Sequence, residues 1–133
     1  MTFTTESGKN ALTMQINSRR VLVVDDDIIV RKLLKEFLTF HGYNADCVGN
    51  GEDAIKLIKT GHYDILIIDY MMPKIDGIEL IKRVRDLNLS LPIIGISGSG
   101  NKKEFLSAGA NLFMAKPLTL SELKNILERE FFI

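Results

Sequence analysis

Apolar and polar positions in this chain alternate between two rhythms. From Arg20 onward five short apolar runs recur: VLVV at 21–24, YNADCV at 43–48, DILII at 64–68, LPIIGI at 91–96 and NLFMA at 111–115. Four of them are too short for helices and rich in residues that suit a strand, and the run at 43–48 is the weaker one. Between them the apolar residues recur at helical spacing. Residues 27–41 place Val30, Leu34, Phe37 and Leu38 on one stripe. Residues 51–60 do so with Ala54, Ile55 and Ile58, and residues 77–87 with Ile78, Ile81 and Val84. Residues 102–108 offer only Phe105, Leu106 and Ala108, whereas 120–130 align Leu120, Leu123, Ile126 and Leu127. The pairs Asn50/Asp53, Asp76/Glu79, Asn101/Glu104 and Thr119/Glu122 each put a capping residue three positions before an acid. An acid there also complements the helix dipole.

The order is strand then helix, five times over. Near-continuous apolar strands, covered on both faces, imply a parallel sheet with right-handed crossovers, a doubly wound α/β domain. A length of 133 residues suits one domain over 19–133, with the polar stretch 1–18 as a tail or linker. Lys+Arg and Asp+Glu are both 17, so the net charge offers no pull toward nucleic acid or an acidic membrane. No apolar run approaches the ~20 residues of a membrane span, and no signal peptide is visible. The lone Cys47, expected to be buried, rules out an internal disulfide and fits a reducing compartment, so a cytoplasmic protein is expected.

Chemistry gathers at the carboxyl ends of the predicted strands, where ligands bind in open parallel sheets. The first strand delivers Asp25, Asp26 and Asp27 there, the third Asp69, the fourth Ser97, and the fifth Lys116 followed by Pro117. Adjacent carboxylates repel by about 1 kcal/mol per pair in water, and more where solvent is excluded. A dication turns that repulsion into ligation, and an oxygen-rich set suits Mg²⁺ (or Mn²⁺). Lys116 suits a phosphate as a point charge, Ser97 a hydrogen bond to it, and an aspartate beside the metal can attack phosphorus. Simpler readings stand beside these. Asp27, and Asp76 with Gly77, are most simply helix starts, and His41 and His62 complement helix ends without chemistry of their own.

With VLVVDDD (21–27), DILIIDYMMPKIDG (64–77), PIIGISG (92–98) and AGANLFMAKP (108–117) in this order and spacing, the sequence resembles a response-regulator receiver domain of two-component signalling over about residues 19–130. The resemblance implies a flavodoxin-like five-stranded sheet of order 2-1-3-4-5 with five helices. It implies Asp69 as the phosphoacceptor, and Asp25, Asp26, Asp69 and the Met71 backbone carbonyl around the metal. Asp26 would be the more direct ligand, with Asp25 acting through water. It casts Ser97 as the switch hydroxyl, Lys116 as the phosphate-binding lysine, Phe113 as the switch aromatic and Pro117 as the residue after a cis bond. Two departures from the family pattern bear on signal transmission. Phe113 replaces the commoner tyrosine, and the interval from Ser97 to Lys116 is shorter than usual.

The expected function is a phosphoacceptor switch, a signalling domain and not an enzyme, charged by a sensor histidine kinase or a histidine phosphotransfer protein. The expected output is protein binding, without a DNA-binding segment, as a monomer or a phosphorylation-linked dimer. Ile29 and Leu33 form an apolar stripe beside Asp25 and Asp26 and are candidates for partner docking. Two rivals remain at this level. One is an aspartyl-phosphate phosphatase, for which Asp25 and Asp27 supply a D-x-D spacing. The other is a pure binding module, such as a flavin binder or a receiver that is never phosphorylated.

Overall fold

A computed structural model describes residues 19–88 and 90–131; the expected tail at 1–18 lies outside the described residues. Five strands, β1 (Arg20–Val24), β2 (Asn44–Val48), β3 (Ile65–Asp69), β4 (Ile93–Ser97) and β5 (Leu112–Ala115), alternate with α1 (Ile28–Phe40), α2 (Gly51–Thr60), α3 (Gly77–Leu87), α4 (Lys102–Ala108) and α5 (Leu120–Ile126). All pairings are parallel and the spatial order is β2-β1-β3-β4-β5. The flavodoxin-like fold expected from the sequence is the one observed.

The strict alternation of strand side chains divides the core in two. Leu22, Val24, Leu66, Ile68 and Ile93 face Ala54, Leu80, Ile81, Val84 and Phe105 from α2, α3 and α4. Val21, Val23, Ile65, Ile67, Ile94 and Ile96 face Leu34 and Leu38 of α1 and Leu123 of α5. Each large side chain buried this way contributes roughly 1.5–3 kcal/mol relative to exposure. The last helix departs from expectation. Beyond Ile126 it widens into a π-helical turn, Leu127–Phe131, with Leu127 fully buried and Phe131 packed on the same core.

Helix α4, which looked poorly anchored, is held by one side chain. Phe105 is wholly buried and stands edge-on to Tyr70 and tilted against Phe113. Its ring lies over Gly95 so closely that a Cβ there would fall 2.2 Å from Phe105 Cδ1. A single aromatic in a glycine-floored slot therefore does what a longer apolar stripe does elsewhere.

Register brings the strand ends into line. Val24 pairs with Ile68, Asp69 with Ile96 and Ser97 with Ala115. Backbone bonds continue one residue further, from Asp25 N to Val48 O, Tyr70 N to Ile96 O and Lys116 N to Ser97 O. The residues at and just past the strand ends thus share one rim.

Candidate functional site

Asp25, Asp26 and Asp69 meet on that rim, each offering a carboxylate oxygen within 4.8 Å of the others. Asp25 and Asp69 are buried at 5 % exposure each, while Asp26 is open to solvent. Lys116 Nζ lies 2.7 Å from Asp69 Oδ1, one ammonium against three carboxylates. The Lys116–Pro117 peptide bond is cis. Asp25 Oδ1 accepts from the Asp27 amide at 2.9 Å, which aims its carboxylate inward across the turn. Ser97, 2 % exposed, donates its hydroxyl to Asn101 Oδ1 and accepts from the Ser99 amide. Met71 is exposed, and Phe113 is half-buried against Phe105.

The electrostatics follow from burial and crowding. Burial drives the Asp25 carboxyl above its ordinary value of 3.8, the Asp27 amide opposes this, and the charges of Asp69 and Asp26 push up while Lys116 pulls down. Burial pulls Lys116 down, but its hydrogen bond to Asp69 and the charges of Asp69, Asp25 and Asp26 outweigh it, so its pKa is raised. Three acidic oxygens gathered with, among the described residues, one counter-charge form the donor set that a hard dication such as Mg²⁺ fits.

A raised carboxyl pKa means that the folded state holds this proton more tightly than the unfolded chain does. Stability from the group is full below 3.8 and is lost as pH rises through the folded-state value. Asp25→Asn keeps an acceptor for the Asp27 amide and removes the charge. In chelator-treated protein it should raise the melting temperature by several degrees near neutral pH, the size expected from relieving the repulsion of one carboxylate pair, about 1 kcal/mol. The gain should shrink as pH falls toward 3.8. Thermal melts across that range check it; a gain independent of pH would show that charge is not its source.

Other sequence-predicted residues are placed more plainly. Asp27 caps α1, its side chain accepting from Ile29 N, and lies outside the acidic cluster, so the D-x-D spacing does not assemble a site. Asp76 caps α3 by accepting from Glu79 N. Cys47 is half-buried, not buried, with Sγ donating to Arg31 O. His41 ends α1 between Phe37 and Phe40, and His62 is exposed beside Asp64. Ile29 and Leu33 are exposed, at 70 % and 50 %.

One supporting residue escaped sequence reasoning. Arg31 reaches back from α1 to donate to the Asp25 backbone oxygen at 2.8 Å. It also lies where a Cβ on Gly49 would come within 2.8 Å of its guanidinium. An arginine on the second turn of an amphipathic helix reads as a solvated face, and only the Gly49 beside it hints otherwise.

A parallel sheet of this order defines the flavodoxin-like class, and the acidic residues of this one stand at the carboxyl ends of β1 and β3. Within it, the profile of the response regulator receiver domain matches residues 21–128, and the chain belongs to that family, the phosphoacceptor domains of two-component signalling. It is 41 % identical over 112 residues to the sensor protein EvgS of Escherichia coli (strain K12), covering 82 % of this chain and 9 % of that protein. It also spans about half, 47 %, of the response regulator MprA of Mycobacterium ulcerans, at 38 % identity over 109 residues and 80 % of this chain. The receiver domain of the Francisella response regulator 1452 superimposes with a TM-score of 0.79 at 34 % identity, covering 84 % of this chain and 94 % of that one. The receiver domain of the Pseudomonas aeruginosa sensor histidine kinase PA1611, described with magnesium coordinated in its active-site cleft, gives 0.78 at 27 % identity, covering 84 % and 96 %. Among the described residues no helix is long and apolar enough to cross a membrane.

Proposed function

We propose that Asp69 accepts a phosphoryl group from a phosphohistidine of a sensor histidine kinase or histidine phosphotransfer protein. The observation that carries this reading is the Asp69–Lys116 pair at 2.7 Å inside the acidic cluster. Among the described residues it is the one carboxylate there that is both buried and held by a cation. An Asp69 oxygen attacks phosphorus in line, the new O–P bond forms as the N–P bond breaks, and the electron pair leaves with the imidazole nitrogen. Lys116 Nζ moves from the carboxylate toward the equatorial phosphoryl oxygens, where charge is spread in the transition state. Asp25, Asp26, Asp69 and the Met71 carbonyl are the residues to hold Mg²⁺ or Mn²⁺, which when bound would neutralise charge on those same oxygens. Ser97 donates its hydroxyl to the phosphoryl group, and Phe113, packed on Phe105, carries the change to the surface.

The partner docks on α1. A groove of about 450 Å³, lined by Val30, Leu33, Leu34, Pro117 and Leu118, opens beside Asp25 and Lys116. Ile29 stands exposed next to it. Apolar surface beside a charged site suits a protein that must present one histidine to Asp69. The domain then acts as a cytoplasmic switch whose product is an altered binding surface, with no turnover of a small substrate.

The test is incubation with Mg²⁺ and a small acyl phosphate, followed by intact mass. One phosphate is expected on the wild type and none on Asp69→Asn. Equal labelling of both proteins refutes the assignment.

A further inference from the structure

Four of the five helices are capped as their sequences ask. Asp27, Asn50, Asp76 and Thr119 all sit in extended backbone, and each accepts a hydrogen bond from a first-turn amide. Asn101 has the right residue type and Glu104 three positions later, yet it makes no side-chain cap. Its backbone sits at φ −90°, ψ 27°, whereas the other four caps have ψ between 114° and 174°. Its carboxamide oxygen accepts instead from the Ser97 hydroxyl at 2.7 Å. Ser97 Oγ also accepts from Ser99 N at 3.0 Å, so the one hydroxyl proton is committed to Asn101.

We propose that Asn101 is a positioning residue exchanged between two partners: it holds the Ser97 hydroxyl before phosphorylation and caps α4 after it. This rests on the reading of Ser97 as the hydroxyl that meets the phosphoryl group. A hydroxyl has one proton to donate, so binding a phosphoryl oxygen releases Asn101. The released oxygen has the uncapped Glu104 amide in the same i+3 relation that Asn50, Asp76 and Thr119 use. Reaching it requires Asn101 to turn into extended backbone. Gly100, immediately before, is at φ +72° with nothing within 4 Å of an added Cβ, so the chain has room to turn there. The bond from Lys116 N to Ser97 O keeps the end of β4 in place meanwhile. One hydrogen bond replaces another of similar strength, so the two arrangements are closely balanced and the phosphoryl group tips them. The shortened interval after Ser97 thereby links the acceptor site to the first turn of α4.

Amide hydrogen exchange of Glu104 tests this. In the wild type, protection should rise about fivefold on phosphorylation by Mg²⁺ and a small acyl phosphate, the effect of gaining one cap. Ser97→Ala deprives Asn101 of its resting partner, so the same rise should appear in the unphosphorylated protein. It should vanish in Ser97→Ala/Asn101→Ala and be absent from Ser97→Thr, which keeps the hydroxyl. Unchanged β3 and β4 protection verifies the fold in each variant. If Ser97→Ala leaves Glu104 at the wild-type level, the exchange is overturned whatever happens at Asp69, because that arm contains no phosphate. If the wild type takes up one phosphate without a change at Glu104, the link between Ser97 and α4 is likewise overturned. Failure of the acceptor reading shows separately, as a missing mass increment.

Discussion

Lys116→Ala is expected to slow labelling of Asp69 by a small phosphodonor about 10²–10³-fold, the usual consequence of removing one preorganised charge from a transition state. The geometry makes this a clean experiment. Nζ lies 2.7 Å from Asp69 Oδ1 and the Lys116 side chain is 41 % exposed, so truncation opens no cavity, and the stability lost by leaving the buried Asp69 carboxylate without its cation is read separately. The raised pKa of Lys116 keeps the ammonium charged at every working pH below its ordinary value of 10.5, so the wild-type rate owes nothing to its titration. Phosphate incorporation followed over time by intact mass supplies the rate, and a thermal melt supplies the control. A rate within twofold of wild type in a folded variant would remove Lys116 from the transfer step. Lys116→Arg keeps the charge on a larger, planar head and is expected to recover only part of the rate.

The second large effect is on stability. Gly77→Ala should cost about 3 kcal/mol, because the first residue of α3 is wedged against the strand that carries Asp69. A Cβ at Gly77 would lie 2.4 Å from the Asp69 backbone oxygen and 3.0 Å from Tyr70 Cα, and backbone cannot step aside as a side-chain tip can. The Gly77 amide also donates to Tyr70 O at 2.9 Å, so pushing the helix away breaks that bond. Denaturant unfolding measures the loss. Labelling should fall with it, since the displaced backbone is that of the acceptor itself. Gly98→Ala is the comparison: its nearest neighbour would be Lys116 Cβ at 3.5 Å, an ordinary contact, and the change should stay within about 0.5 kcal/mol. Equal costs at the two glycines would show that the close approach at Gly77 relaxes without penalty.

Most of the fold was legible because its determinants are local. The bounds of α2, α3 and α4 follow from helical period bracketed by caps and glycines, and they match the observed Gly51–Thr60, Gly77–Leu87 and Lys102–Ala108. The weak second run proved to be β2, an edge strand whose Asn44, Asp46 and Cys47 are not fully covered, which is why its composition signals strand poorly. The rim residues were legible for a related reason. Asp69 and Ser97 end their strands while Asp25, Asp26 and Lys116 come just past theirs, and parallel strands in register end together.

Position along the chain thus determined which elements form, the faces they bury, and which carboxylates, hydroxyl and lysine arrive at one edge. Only the tertiary structure decided which hydrogen bonds those groups make. A capping signature states what Asn101 can do three residues downstream, but not that a Ser97 hydroxyl would compete for the same oxygen. An apolar count understated Phe105, because the depth of its slot depends on Gly95 in another element. Arg31 reads as a surface charge until α1 is laid beside β1 and its guanidinium reaches the Asp25 carbonyl. Secondary structure is set by interactions a few residues apart, which a sequence displays. The partners of a buried polar group are set by distances between segments far apart in the chain, and those exist only once the sheet and its helices have packed.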